Sequence, residues 1–304
     1  LPERSRCSLA GRSFNTVFRV DGSDGRRCAL RVGSALRIHT DETEVVEAAW
    51  ITALGNDAVV EVPEVVPATN ASPVVRQGHL GVPEDRLCMM FGWISGRTLS
   101  EAMTPPRARA LGSVAARLHE HAAASTAAAV AADSKDPPPV LVANQVLHWR
   151  IPNRLVELAG TYASLFDDAV LRAQATLDDL WRHPRHQPHL LHGDLTPLNV
   201  MVRHNRLVPF DFQDLVWGFD IQDLAITLVS LRRFGNCQEI TENFQAGYQE
   251  IRPWPELEPE LLTALIMARR LHQLNLTLAV RQPGFEHIIV RTAELLRGWM
   301  TTGS

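Results

Sequence analysis

The sequence predicts an α+β protein with two lobes, a small β-rich lobe with one main helix and a larger, mostly helical lobe. Three observations predict this division. The chain has 304 residues, a length typical of two domains or one large two-lobed domain. Its β-prone segments are concentrated at the N-terminal end, and long segments with helical spacing of apolar residues follow. We therefore predict a small N-terminal lobe at 1–90, a hinge at 91–96 and a helical C-terminal lobe at 97–304.

The strands of the small lobe are predicted from short runs of β-branched and apolar residues. Runs at 15–20 and 27–32 flank the turn-forming segment 21–25, which contains two glycines, and together they predict a hairpin. Three further strands are predicted where similar runs are separated by prolines and glycines, at 59–66, 74–77 and 87–93.

One helix is predicted between these strands. Thr40 and Asp41 are suited to its N-terminus, and Glu44 follows Asp41 at the spacing of a capping box. The apolar residues that follow recur at helical spacing as far as Leu54, and Gly55 is suited to end the helix.

The second part of the chain is predicted to be helical at 105–121, 155–181 and 257–299, with a strand-rich segment at 189–214. An alanine-rich stretch at 122–132 leads into a proline-rich linker that contains Lys135. This is the single lysine of the chain, so any phosphate-binding cation near a catalytic site must be an arginine.

Composition excludes several classes of function. The net charge of −4 and the pI near 6.3 argue against nucleic-acid binding and against a polybasic membrane anchor. The four cysteines are far apart and form no CxxC pair, which indicates a reducing compartment, and we expect a cytoplasmic protein. The longest apolar stretch, at 261–280, is interrupted by Arg269, Arg270 and His272 and does not predict a membrane span.

The segment HGDLTPLNVM at 192–201 is the most informative part of the sequence. Asp194 and Asn199 lie on a loop that contains Pro197, and a hairpin around 204–205 is predicted to return Asp211 to the side of Asn199. The loop and hairpin thus bring together two carboxylates and an amide oxygen, which are ligands that Mg²⁺ prefers. Phosphoryl transfer needs this set, an aspartate to orient the acceptor hydroxyl and oxygen ligands for the cation.

The order and spacing of these residues match the protein-kinase pattern H-R-D-L-x-x-x-N followed by D-F-G, with Gly193 in place of Arg and Gln213 in place of the last Gly. Together with WGFDIQDLA at 217–225, the segment resembles the aminoglycoside phosphotransferase family, which is related to choline kinase and has a protein-kinase-like fold. The resemblance extends over nearly the whole chain and implies that Asp194 is the catalytic base. It also implies that Asn199 and Asp211 bind Mg²⁺ and that Asp223 braces the loop.

In the small lobe the resemblance implies a nucleotide site. The segment GRSFNTVF at 11–18 is similar to the family's nucleotide-covering hairpin and contributes Ser13 and Asn15. Arg31 stands at the position of the usual phosphate-binding lysine, with Glu47 as its predicted partner and Glu44 as a weaker candidate. The adenine is expected to bind hinge backbone groups near three residues, Met90, Phe91 and Gly92.

These features predict an enzyme that transfers the γ-phosphoryl group of ATP, or of GTP, to a hydroxyl of a small molecule with the help of Mg²⁺. The acceptor is an antibiotic such as an aminoglycoside, with a role in antibiotic resistance, or an amino-acid, amino-alcohol or sugar metabolite. Asp214 and Trp217 are candidates for contact with it. Acidic pairs at 167–168 and 178–179 either line a pocket for a cationic acceptor or form a solvated helix face.

Two alternatives remain open. Some members of the wider superfamily phosphorylate Ser or Thr of proteins, and an open acceptor groove would favour that activity. Arg31 in place of lysine also fits a nucleotide-binding pseudokinase that acts as an interaction module. The sequence does not determine the oligomeric state.

Overall fold

The computed structural model describes residues 5–124, 139–158, 160–182, 187–256 and 258–302. The predicted α+β architecture with a β-rich small lobe and a helical large lobe is confirmed. Five antiparallel strands form the small-lobe sheet in the order β1-β2-β3-β5-β4. These strands are β1 (Arg6–Arg12), β2 (Thr16–Asp21), β3 (Arg27–Val32), β4 (Val74–Gln77) and β5 (Arg86–Gly92).

The predicted strand at 59–66 is wrong. Only one isolated bridge forms in this segment, between Val65 and Phe91 of β5. Pro63 and Pro67 confine the segment to short contacts because proline has no amide hydrogen to donate to a neighbouring strand.

Helix α1 (Asp41–Asn56) follows β3 and begins one residue earlier than the predicted capping box requires. The hydroxyl of Thr40 accepts a hydrogen bond from the backbone N–H of Thr43 at 3.2 Å, so Thr40 is the N-cap. The helix continues past Gly55 to Asn56. Its Trp50 is buried against the large lobe, where its ring lies edge-on to Phe212 at 5.4 Å and its indole N–H donates to His121.

The large lobe is formed by helices that surround short strands. The strands are β6 (Arg97–Thr98), β7 (Leu141–Val142), β8 (His189–Leu191), β9 (Val200–Arg203), β10 (Arg206–Pro209) and β11 (Val216–Gly218). The helices are α2 (Pro105–Ala124), α3 (Leu155–Leu158), α4 (Ala163–Arg182), α5 (Asp220–Leu231), α6 (Cys237–Gln249), α7 (Pro259–Ala279) and α8 (Phe285–Thr302).

The helices predicted at 155–181 and 257–299 are each divided in two. Gly160, in the left-handed region at φ 57°, interrupts the first and separates α3 from α4. Gly284, at φ 78°, lies between α7 and α8. The linker at 125–138, with Lys135, lies outside the described residues.

Among the described residues the apolar side chains form two large cores and one small cluster at Ala143, Leu191 and Val216. The first joins α1 and β5 of the small lobe to α2, α5 and α6 of the large lobe, so the two lobes share one packed interior. The second lies among α4, α7 and α8. The strands that carry the sequence motif are attached to the first core through Leu195, Val200 and Leu207.

Helices α2 and α6 approach each other through glycines. A Cβ atom added to Gly112 would lie 1.9 Å from the carbonyl oxygen of Phe244, and one added to Gly247 would lie 1.8 Å from that of Arg109.

We expect Gly112→Ala to destabilise the protein by about 1–3 kcal/mol, because the backbones must separate. The denaturant midpoint measures this change. Gly298→Ala in α8 is the matched control, because no atom lies within 4 Å of its added Cβ and alanine is the better helix former.

Candidate active site

The loop after β8 carries the central motif and is fixed by a close backbone approach. Gly193 has a φ of 77°, in the left-handed region, and a Cβ atom there would lie 1.9 Å from the carbonyl oxygen of Asp214. Both features require glycine. The substitution of glycine for the arginine of the protein-kinase pattern therefore has a local structural reason.

Asp223, near the start of α5, holds this loop in place. Its carboxylate accepts hydrogen bonds from the backbone N–H groups of His192 at 3.1 Å and Gly193 at 2.9 Å, and it lies 3.4 Å from Nε2 of His119. The side chain is 2% exposed. Burial alone would raise the pKa of Asp223, but these hydrogen bonds and the neighbouring histidines hold it below its ordinary value.

Both carboxylate oxygens of Asp194 are engaged. Oδ2 accepts a hydrogen bond from the side-chain amide of Asn199 at 2.7 Å, and Oδ1 accepts one from the guanidinium of Arg269 at 2.7 Å. Burial raises the pKa of Asp194, and Arg269 opposes that rise. The carboxylate is thereby held in one orientation by two donors from different elements.

Asp211 follows the hairpin formed by β9 and β10. His204 and Asn205 both have positive φ values, 46° and 63°, which match the two-residue turn predicted there. Asp211 itself lies in the left-handed region at φ 61°. Burial raises its pKa to about 7 despite the opposing charge of Arg31, and Asp214, Glu47 and Asp194 add negative charge around it.

The donor set at this position fits a magnesium ion. The amide nitrogen of Asn199 donates to Asp194, which leaves the amide oxygen of Asn199 as a free ligand. No group of three or more His, Cys, Asp or Glu side chains arranged for a metal occurs among the described residues. Mg²⁺ in nucleotide enzymes is usually held by one or two protein groups together with phosphate oxygens and water, and the oxygens of Asn199 and Asp211 could provide the protein's share.

Arg31 lies on β3 and is paired with Glu47 of α1. Its Nη1 donates to one carboxylate oxygen of Glu47 at 2.8 Å, and its Nη2 donates to the other. The same guanidinium lies 3.6 Å from Asp211. Burial alone would lower the pKa of Arg31, but Glu47, with Asp211 and Glu44, raises it above its ordinary value. Glu44, the weaker candidate partner, makes no hydrogen bond to Arg31 and is half-buried.

A cavity of about 330 Å³ lies between the lobes and is here named the nucleotide cavity. Most of the residues predicted to bind nucleotide line it. Its lining includes Ser13, Asn15, Arg31, Phe91, Gly92 and Asp211. Met90 is not among them, and it lines a separate cavity together with Cys88 and Met89.

Two backbone groups at the predicted hinge already form hydrogen bonds with residues 64–66. The N–H of Gly92 donates to Glu64, and the carbonyl of Met90 accepts from Val66, each at 2.8 Å. Trp93 and Ile94 of the predicted hinge also line the nucleotide cavity, and the backbone N–H of Trp93 donates to the carbonyl of Arg27 at 3.0 Å. The side chain of Asn15 is likewise engaged, with its amide nitrogen donating to Gln213.

A second cavity, of about 360 Å³, is lined by Asp194 and is here named the acceptor cavity. Asp214 lines it and is held by His39, whose Nε2 lies 3.1 Å from Oδ1. Burial alone would raise the pKa of Asp214, but His39 and Arg269 hold it below its ordinary value. Trp217 does not line this cavity, because it lies in β11 and packs against the first core.

Sequence reasoning missed Arg269 as a site residue. Arg269 lies on α7, 75 residues after Asp194, is 9% exposed, and stacks over the ring of Trp149 at 5.6 Å. The available signal was the interruption of an apolar helical stretch by Arg269 and Arg270, which we used only to exclude a membrane span. Charged residues on the buried side of a helix require partners, and such positions are candidates for a functional site.

A family model described as the phosphotransferase enzyme family matches residues 8–259. These residues include the nucleotide cavity and the loop of Asp194, but not the residues of α7 and α8 that line the acceptor cavity. The chain belongs to this family. It is therefore an enzyme, a small-molecule phosphotransferase with an alcohol group as acceptor. No curated protein is detectably similar to it in sequence.

Solved structures show the same fold at low sequence identity. The complex of the amicoumacin kinase hAmiN with AMP-PNP, Ca²⁺ and its ligand is 17% identical, with a TM-score of 0.77 over 98% of this chain and 89% of that one. A microcompartment-associated aminopropanol kinase is 20% identical, with a TM-score of 0.74 over 100% and 94%. The GDP and kanamycin complex of APH(2")-IIia is 15% identical, with a TM-score of 0.62 over 98% and 94%. Within the described residues, no helix has the length and apolar character needed to cross a membrane.

Proposed function

We propose that this phosphotransferase moves the γ-phosphoryl group of ATP to a hydroxyl of a small molecule that occupies the acceptor cavity. The observation that carries the proposal is the position of Asp194 and Asp211. Asp211 lines the nucleotide cavity and Asp194 lines the acceptor cavity, with Asn199 hydrogen-bonded to Asp194. Asn15, which lines the nucleotide cavity, donates a hydrogen bond to Gln213, which lines the acceptor cavity, so the two cavities are neighbours and a phosphoryl group can pass between them.

In this proposal Asp194 is the catalytic base. Asn199 and Arg269 hold its two carboxylate oxygens, so the acceptor hydroxyl meets a carboxylate whose orientation is already fixed. Asp194 orients that hydroxyl and accepts its proton as the bond to phosphorus forms. Asp223 acts indirectly, because it fixes the loop that carries the base.

Arg31 supplies the cation that contacts the nucleotide phosphates. Its pairing with Glu47 fixes the guanidinium at the wall of the nucleotide cavity, 3.6 Å from Asp211. A guanidinium has five N–H donors, of which two are used by Glu47, so others remain for phosphate oxygens. Mg²⁺, when bound by Asn199 and Asp211, would neutralise charge on the phosphates.

The volume of the acceptor cavity supports a small molecule rather than a protein as the acceptor. About 360 Å³ lies within the range of small-ligand sites, and a protein kinase needs an extended groove for a peptide. The amicoumacin kinase and the aminopropanol kinase provide precedents for small acceptors on this fold.

The test is nucleotide-dependent transfer by the purified full chain. We expect Mg²⁺-dependent formation of a phosphate ester on at least one member of a panel of aminoglycosides, amino alcohols, hydroxy amino acids and sugars, detected by mass spectrometry. ATP and GTP are compared in parallel, because APH(2")-IIia binds GDP. Binding of nucleotide without transfer to any acceptor would favour the pseudokinase, and labelling of Ser or Thr in protein substrates would favour the protein kinase.

The variant Asp211→Asn tests the proposed metal site. We expect turnover to fall by about 100-fold or more, because loss of a charged ligand removes several kcal/mol of phosphate neutralisation. Steady-state rates as a function of Mg²⁺ concentration measure the effect. Asp167→Asn, an exposed position on α4, should leave the rates unchanged. Equal rates for the Asp211 variant and the wild type would contradict the assignment.

A further inference from the structure

The acceptor cavity contains two consecutive arginines from α7, Arg269 and Arg270, beside the carboxylates of Asp194 and Asp214. Their surroundings differ. Arg269 is paired with Asp194 at 2.7 Å and lies 3.8 Å from Asp214, so its charge is balanced within the protein. Arg270 is the second cation in the cavity, and whether its charge is also balanced depends on its own neighbours.

The guanidinium of Arg270 has no ion pair or hydrogen bond with any residue in the described part of the chain, and its Nε is buried without a partner. The charged residues that act on it are two further arginines, Arg291 of α8 and Arg232. Burial lowers the pKa of Arg270, and these two positive charges lower it further. Arg270 is thus an uncompensated cation in a partly desolvated position, an arrangement that an incoming anion would stabilise.

Among the described residues that line the cavity, no carboxylate remains free for a cationic group of a ligand. Asp194 is held by Asn199 and Arg269, and Asp214 is held by His39 and Arg269. The acidic pairs at 167–168 and 178–179, considered above as a possible lining for a cationic acceptor, are exposed on α4 and do not line the acceptor cavity.

We propose that the acceptor carries a carboxylate, which binds Arg270 while its hydroxyl faces Asp194. The acceptor class is therefore a small hydroxy acid or hydroxy amino acid, not a polycationic antibiotic or a simple amino alcohol. Arg270 is a specificity-determining residue that recognises the carboxylate through charge-assisted hydrogen bonds. This inference rests on the proposed function for the role of Asp194, but the recognition of a carboxylate by Arg270 can be measured without turnover.

Matched acceptor pairs test the proposal. L-homoserine is compared with 3-amino-1-propanol and L-threonine with 1-amino-2-propanol, so that each of these pairs differs by a carboxylate. Glycerate is compared with glycerol, in which a hydroxymethyl group replaces the carboxylate. Binding to the full chain is measured by calorimetry, with and without ATP and Mg²⁺. We expect at least one acid to bind about 10- to 100-fold more tightly than its uncharged or cationic partner. Glycerate shows whether the ammonium of the amino acids is needed.

Variants at position 270 test whether Arg270 causes the tighter binding of the acids. Arg270→Gln should remove the preference for the acid, and Arg270→Lys should restore part of it, because a cation remains without the bidentate geometry. Arg291→Gln is the matched control, since Arg291 is an exposed arginine on the neighbouring helix and does not line the cavity. It should retain the preference.

Three results would overturn the inference. They are tighter binding of the amino alcohols or glycerol than of the acids, an unchanged preference in Arg270→Gln, and a loss of ATP affinity in Arg270→Gln with acceptor affinity intact. The last would assign Arg270 to the nucleotide phosphates. If an acid binds through Arg270 but no compound in either panel is phosphorylated, the proposed function fails while the carboxylate site stands.

Discussion

Replacing Asp194 with asparagine should abolish phosphoryl transfer, with kcat lower by about 10²–10⁴-fold and nucleotide affinity retained. Asparagine has the same shape and its amide oxygen can still accept a hydrogen bond, so the loop should keep its position. The amide cannot accept the proton of the acceptor hydroxyl. Loss of turnover without loss of binding is the expected signature of a base that faces the acceptor cavity rather than the nucleotide cavity.

Single-turnover measurements and nucleotide titrations on the same preparation separate the two effects. Asp168→Asn, an exposed aspartate on α4, is the control for the loss of one negative charge and should behave as the wild type. A variant of Asp194 that transfers phosphate at the wild-type rate would contradict the assignment of the base. Impaired nucleotide binding would indicate that Asp194 acts mainly on the metal.

The catalytic loop could be predicted from the sequence because its geometry is local. The spacing from Asp194 to Asn199 and the turn at His204 and Asn205 are determined by neighbouring residues, and the structure has the predicted β9–β10 hairpin. Arg269 could not be predicted in this way. Its contact with Asp194 joins residues 75 positions apart and depends on how α7 packs against the rest of the large lobe.

The errors in secondary structure have similar physical causes. The segment 59–66 has the apolar character of a strand, but it contains Pro63 and is followed by Pro67, and it forms only one bridge, at Val65. The predicted adenine contact near Met90 stays a prediction, but pairing with Val66 occupies the backbone carbonyl of Met90, and Met90 lines a different cavity from Phe91 and Gly92. Neither outcome follows from residue type alone.

Glu47→Ala should destabilise the protein by about 3–5 kcal/mol, because it leaves Arg31 buried without its partner. Glu47 is fully buried and Arg31 is 7% exposed. Both carboxylate oxygens of Glu47 accept hydrogen bonds from the guanidinium of Arg31. Denaturant unfolding measures the loss. Glu120→Gln, an exposed position on α2, should change the free energy of unfolding by no more than about 0.5 kcal/mol. A similarly small change for Glu47→Ala would show that the pair contributes little to the folded state.

The double variant Arg31→Met with Glu47→Leu separates stability from catalysis. Replacing both members of a buried ion pair with apolar side chains of similar volume is often neutral or stabilising, so this variant should recover most of the stability lost in Glu47→Ala. It should not recover turnover, because the cavity then has no cation on β3 to contact the phosphates and the single lysine of the chain lies in the sequence segment 125–138. ATP affinity and kcat measured on the folded double variant test this. Wild-type turnover in a stable double variant would show that Arg31 is a structural residue and that Mg²⁺ and other groups suffice to hold the nucleotide.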